Sequence, residues 1–292
     1  PLPDSEDRTL RWDEARETVL SAYAAFDPEM AAVGGRFFEH NWIDAPARAG
    51  KSPGAFAHPT VPSAHPYILL NYQGKVRDVM TLAHELGHGV HQVLAAQQGH
   101  LLADTPLTLA ETASVFGEML TFRRLLDREQ DPRRRRAMLV GKVEDMLNTV
   151  VRQIALFEFE ERVHAERRSG EVTATRLGDI WMEVQERSLG PALRFEDVYR
   201  NYWAYIPHFI HSPFYVYAYA FGDCLVNSLF AVYQSGHPGF QAKYLDMLRA
   251  GGTKHHKELL APFGLDATDP AFWSRGLDVL AGFIDELEAM PQ

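Results

Sequence analysis

The sequence predicts a mainly α-helical protein with one small β element. Apolar side chains recur at three- and four-residue steps through ten segments, the period of helices that bury one face. A single stretch, residues 54–72, breaks that rhythm and reads as short paired strands around a proline-rich turn. At 292 residues the chain can bury a large core, as one domain or as two lobes, and no repeat or low-complexity tract interrupts it.

In chain order, helices are expected over 12–26, 28–40, 76–98, 107–127, 132–168, 173–188, 195–205, 213–234, 240–250 and 271–290. Between the second and third lie two expected strands, 54–57 and 67–72. The 54–57 strand is the better candidate for an edge that holds an extended peptide. Gly54, Ala55 and Phe56 begin it, and small residues let another backbone approach closely. In the third helix Val79, Leu82, Ala83, Leu86, Val90, Val93 and Leu94 form the apolar stripe, and Asp78 suits the first turn. The fourth helix opens after Asp104-Thr105-Pro106, a proline placement that suits a helix start. The long fifth helix carries Leu139, Val143, Met146, Val150, Ile154 and Phe157 as a core-facing stripe, and its Arg133–Arg136 run is a solvated helix start.

The third helix also carries His84-Glu85-Leu86-Gly87-His88. Two imidazoles four residues apart share one face, so both can bind one zinc ion while Glu85 reaches a water beside it. A catalytic zinc takes three protein ligands and keeps one position open. His91 is a poor third ligand, because three donors on one straight helix rarely surround a metal. The pattern that continues with glycine at 91 and histidine at 94 is excluded by His91 and Leu94. Glu111 is the remaining candidate, since a second, antiparallel helix could bring it opposite the two histidines. Glu118 lies seven residues further along the same face and could orient His84 or His88, with Asp78 as the weaker alternative.

His84-Glu-Leu-Gly-His88, twenty-two residues, then Glu111-Thr-Ala-Ser114 resembles the M3 metallopeptidases, in particular the oligoendopeptidase F branch. The likeness extends to Phe26-Asp-Pro-Glu-Met30, Asn41-Trp-Ile-Asp44, His65-Pro-Tyr-Ile-Leu-Leu-Asn-Tyr72, Pro207-His-Phe and Pro213-Phe-Tyr-Val-Tyr-Ala-Tyr219. It implies a zincin-like helical catalytic domain over 1–292, with a small β-sheet beside the metal helix and one Zn2+ on His84, His88 and Glu111. By the same resemblance Glu85 activates water, while His208 and Tyr217 are donors to the charge that develops on the scissile carbonyl. Tyr215 is a substrate contact. Relatives often have tyrosine around 210 and 211, where this chain has Ile210 and His211. Either His211 takes over that contact or the contact is absent. On an uninterrupted 213–234 helix, Tyr215 and Tyr219 would share a face and Tyr217 would point away.

Net charge is −10, which makes a nucleic-acid surface an unlikely use of this chain. A single cysteine, Cys224, excludes an internal disulfide and a cysteine-rich zinc site and suits a reducing, cytoplasmic compartment. No apolar run reaches membrane-spanning length, so no membrane partner is expected. Pro1-Leu-Pro-Asp4 reads as a connecting segment, and relatives carry a further helical N-terminal half. The expected function is a zinc endopeptidase for short peptides that works with such a half. The alternative is a zinc-containing, peptide-binding fragment with little activity alone.

Overall fold

The structure is a computed structural model that describes residues 9–290, so the Pro1–Asp4 segment lies outside the described residues. The chain divides into two compact units, one running to Gly141 and resuming at Leu225, the other spanning Lys142–Cys224.

The first unit begins with α1 (Trp12–Phe26) and α2 (Pro28–Glu39), where the Asp27 side chain accepts the Glu29 N–H and Pro28 opens the helix. A three-stranded sheet follows: β1 (Ile43–Pro46), β2 (Phe56–His58) and β3 (Tyr67–Tyr72) in the order β1-β3-β2. β1 runs parallel to β3, and β2 antiparallel to it with Phe56, Ala57 and His58 opposite Leu69, Ile68 and Tyr67. The strand thus starts two residues later than the expected 54–57 and ends one residue later. Gly54 sits before it at φ +84, a left-handed conformation that glycine adopts without strain. Then come α3 (Val76–Ala95), which tightens into a 3₁₀ turn over Ala96–Gln98, and α4 (Leu107–Arg128). Tyr23, Phe26, Met30, Phe37, Leu82, Leu86, Phe116 and Tyr244 are buried in this unit.

The chain crosses to the second unit within α5 (Pro132–Leu147). The expected 132–168 helix continues, but through a π-helical turn at Asn148–Arg152 into α6 (Gln153–Arg167). A wider turn moves the buried face along by a residue. Leu139, Met146 and Val150 are buried as expected, whereas Ile154 is 47% exposed and Ala155, Leu156 and Phe159 face the core instead. These pack on Ile180, Trp181 and Val184 of α7 (Ala174–Leu189). Residues 197–205 form 3₁₀ turns in place of the expected α-helix, and α8 is one turn, His208–His211. The chain returns within α9 (Tyr217–Gln234) and ends with α10 (Phe240–Arg249), α11 (His256–Leu260) and α12 (Pro270–Ala289).

Candidate metal centre

His84, Glu85 and His88 lie in the middle of α3, where the helix is packed on both sides. Gly87 is what lets α4 come close. A Cβ there would sit 2.4 Å from the Ala113 carbonyl oxygen and 2.7 Å from the Ser114 Cα, so only glycine fits between the two backbones. Gly117 plays the same part on α4, where a Cβ would meet the Tyr23 hydroxyl at 2.3 Å. That hydroxyl donates to the Ala83 carbonyl at 2.6 Å, tying α1 to the turn that carries His84.

The close crossing brings Glu111 against both histidines. Its Oε2 lies 3.3 Å from His84 Nε2 and 3.5 Å from His88 Nε2. A tetrahedral zinc with bonds of about 2.0–2.2 Å keeps its donors roughly 3.3–3.5 Å apart, so these separations match such an ion. Among the described residues, this is the group of three or more His, Cys, Asp or Glu whose ligand atoms converge, all within 4.8 Å of one another. Two nitrogens and one carboxylate oxygen, with one side open, form the donor set of a catalytic rather than a structural site.

Around these three lies a supporting layer. Glu118 Oε2 is 3.4 Å from His84 Nδ1, on the ring edge away from Glu111. Burial pushes the His84 pKa down. The Glu118 hydrogen bond and the charges of Glu111, Glu118 and Glu85 outweigh it, so the net shift is upward. For His88 burial dominates: the Glu111 charge and a hydrogen bond to the Ala110 backbone act upward, the His84 charge acts downward, and its pKa falls to about 4. Ser114, fully buried, donates its hydroxyl to Glu111 Oε2 at 2.7 Å. Sequence reasoning gave Ser114 no role, although its i+3 spacing from Glu111 was the available signal. Asp78 is elsewhere: its Oδ2 accepts the Gln73 and Lys75 N–H groups at 2.8 and 3.0 Å, capping α3 more than a turn before His84. It is a helix cap rather than a support for the histidines.

Glu85 is buried at 8% exposure. Burial raises its pKa; the charge of His84 opposes this, Glu111 adds to it, and the Ala57 backbone N–H opposes it. The Ala57 contact follows from strand register. Ile68 donates to Trp42 on the β1 side at 2.9 Å, so Ala57, directly opposite Ile68, is a non-hydrogen-bonded pair and turns its N–H and C=O to the outer edge of β2. Its carbonyl accepts from Gln92 Nε2 at 3.3 Å. Phe56 is 46% exposed on this strand, while Gly54 and Ala55 precede it, with the Gly54 carbonyl accepting from the Asn71 amide at 2.9 Å.

The second unit holds the remaining candidates and is described by itself. Phe214 takes φ +59 and its N–H donates to Glu160 at 2.8 Å, so the expected 213–234 helix starts only at Tyr217. Tyr215 lies before the helix, yet its ring still meets Tyr219 at 5.2 Å and His208 at 5.8 Å. The Tyr219 hydroxyl is 3.3 Å from His208 Nε2. His208 thus groups with Tyr215 and Tyr219. Tyr217 is apart from that group, 39% exposed with its ring against Phe157. His211 is exposed at the end of α8.

The model of peptidase family M3 matches residues 14–279. The chain belongs to this family. It is 31% identical over 283 residues to an oligoendopeptidase F of Lactococcus lactis subsp. cremoris, covering 96% of this chain and 47% of that protein. It is 28% identical over 293 residues to the oligopeptidase PepF of Bacillus subtilis, covering 99% of this chain and 43% of that protein. A solved structure from Chlamydophila abortus superposes with a TM-score of 0.87 at 26% identity, over 98% of this chain and 48% of that one. The chain spans about half the length of the curated relatives it matches. No helix among the described residues is long and apolar enough to cross a membrane.

Proposed function

We propose that this chain is the metal-bearing part of a zinc endopeptidase that hydrolyses internal bonds of short peptides. The convergence of His84, His88 and Glu111 beside the buried Glu85 carries the reading. These three side chains would hold one zinc ion, which when bound polarises water and the scissile carbonyl. Glu85 would take a proton from the attacking water and pass it to the leaving amine, and its burial favours the protonated form that the second transfer needs. The Gly54–Phe56 segment that leads into β2 would hold the peptide backbone in extended form. Glu118 and Ser114 would fix the ligands, and the donor roles that the resemblance implies for His208 and Tyr217 belong to the same proposal.

Half-length coverage of its relatives favours one alternative, a peptide-binding piece that turns over slowly until a separate N-terminal half is supplied. Both readings are tested by adding a quenched oligopeptide to the zinc-loaded chain, alone and with the N-terminal half of a full-length relative. Cleavage that Glu85→Gln removes supports the peptidase reading, and cleavage that survives this substitution refutes it. Turnover that requires the added half selects the alternative.

A further inference from the structure

Between α8 and α9 the chain makes one tight turn, Ser212-Pro213-Phe214-Tyr215, closed by the Tyr215 N–H donating to the Ser212 carbonyl at 3.2 Å. Proline at the first central position and a positive φ at the second are the pattern of a type II turn, whose second central residue is normally glycine. Here it is Phe214, at φ +59, with its side chain exposed. Neither the backbone preference of phenylalanine nor burial of its ring accounts for that conformation.

What holds it is α6, where Phe157, Glu160 and His164 stand at i, i+3 and i+7 on one stripe of the helix. The Phe214 N–H donates to Glu160 Oε1 at 2.8 Å, and its ring meets His164 at 4.8 Å and Phe157 at 6.2 Å. Glu160 is buried at 2% exposure, and among the described residues its Oε2 has no hydrogen-bond partner. Burial raises its pKa, against the Phe214 N–H and the charges of His164 and His208. Burying a carboxyl for one N–H costs more stability than the bond returns, and leucine would fill the same place without that cost. The acceptor therefore serves something other than packing.

The turn lies within an unbroken series of backbone hydrogen bonds that joins His208 to the start of α9. The Ser212 N–H donates to the His208 carbonyl at 2.9 Å, the Tyr215 N–H to the Ser212 carbonyl, and the Ala218 N–H to the Tyr215 carbonyl at 3.0 Å. Across this series the side chains close back on one another. The Tyr215 and Tyr219 rings meet the His208 ring at 5.8 and 5.9 Å, and the Tyr219 hydroxyl is 3.3 Å from His208 Nε2. We propose that Glu160 is a positioning residue: by accepting the Phe214 N–H it holds the turn in its left-handed form and so keeps Tyr215 and Tyr219 against the His208 ring. This rests on the peptidase reading only for the donor role of His208, a role that demands a fixed ring because small misplacements of a reacting group are expensive in rate.

The test compares three substitutions. Glu160→Gln keeps an acceptor for Phe214, Glu160→Leu fills the space without one, and Glu160→Ala does neither. A packing role makes leucine the best replacement, whereas an anchor for the turn is served by glutamine alone. In nuclear magnetic resonance spectra of the chain with isotope-labelled histidine, the His208 ring signals should stay in place in Glu160→Gln. In Glu160→Leu and Glu160→Ala they should move toward those of Tyr219→Phe, which lacks the hydroxyl beside Nε2. With a quenched oligopeptide, kcat should fall about 10- to 100-fold in Glu160→Leu at nearly constant KM, and stay within about twofold of wild type in Glu160→Gln, with zinc content unchanged in both. His208 signals that follow this order, in a chain that cleaves nothing with or without an added N-terminal half, would keep the positioning role and refute the peptidase. Cleavage with His208 signals and kcat equal in Glu160→Leu and wild type would refute the positioning role and keep the peptidase. His208 signals displaced as far in Glu160→Gln as in Glu160→Leu would also overturn it.

Discussion

Gly87→Ala is the most informative single change, because one methyl group tests how the two metal-bearing helices are held together. The added Cβ would meet the Ala113 carbonyl oxygen at 2.4 Å, whereas ordinary contact begins near 3.4 Å, so α3 and α4 must part by about 1 Å. Such overpacking costs about 1–3 kcal/mol. Alanine's better helix propensity returns up to about 1 kcal/mol, which leaves a destabilisation of roughly 0–2 kcal/mol. The metal site should suffer more than the fold. Glu111 Oε2 now lies 3.3 and 3.5 Å from the two imidazole nitrogens, and a 1 Å displacement takes it out of a shared tetrahedron. Zinc affinity should fall on the order of 10- to 100-fold, read by competition with a chromophoric chelator alongside a thermal melt. Gly282→Ala in α12, with no atom within 4 Å of the new Cβ, is the control and should leave zinc affinity alone. Zinc binding by Gly87→Ala within twofold of wild type would refute the reasoning.

Glu118→Gln should weaken zinc binding by about 10-fold or more, with little change in melting temperature, because it removes the charge beside His84 Nδ1; unchanged zinc content after dialysis would remove Glu118 from the site. Tyr72, whose hydroxyl donates to the Leu10 carbonyl at 2.7 Å, has its pKa pushed up to about 12 by burial and then by the charges of Asp78 and Glu14. A raised folded-state pKa gives stability that is complete below pH 10 and lost as pH rises toward 12. Tyr72→Phe should therefore cost about 0.5–1.5 kcal/mol at neutral pH and flatten the fall in melting temperature between pH 10 and 12; an unchanged slope would contradict this. Cys224 is buried, and burial together with Asp223 pushes its thiol up to about 12, so iodoacetamide at pH 8 should leave it unmodified until the chain is denatured.

The helical architecture and the faces carrying His84, His88 and Glu111 were legible from periodicity, whereas the choice of Glu111 as the residue that meets the histidines rested on elimination and on the family resemblance. His84 and His88 one turn apart, and Glu111 and Glu118 two turns apart, define faces whatever the rest of the chain does. Features set by long-range contact were not legible. β1 is a four-residue strand ending in Pro46, with no alternating pattern, and exists because it pairs with β3. The π-helical turn at Asn148–Arg152 exchanges Ile154 for Ala155 and Phe159 in the core, a one-residue shift that a uniform helical period misses. The tyrosine segment was misread as continuous helix because the break comes from Phe214, an unusual residue for positive φ, anchored by the distant Glu160. Only the structure identifies what approaches the two glycines of the motif helix: the α4 backbone at Gly87 and the Phe37 ring at Gly89.

The central claim is that α3 and α4 together make one three-ligand metal site, and Glu111 tests it most directly because it is the ligand contributed by the second helix. Equilibrium dialysis against zinc should give one ion per wild-type chain and a loss of affinity of at least about 100-fold in Glu111→Ala, with the fold retained by circular dichroism. One tightly held zinc in Glu111→Ala, at wild-type affinity, would contradict the account.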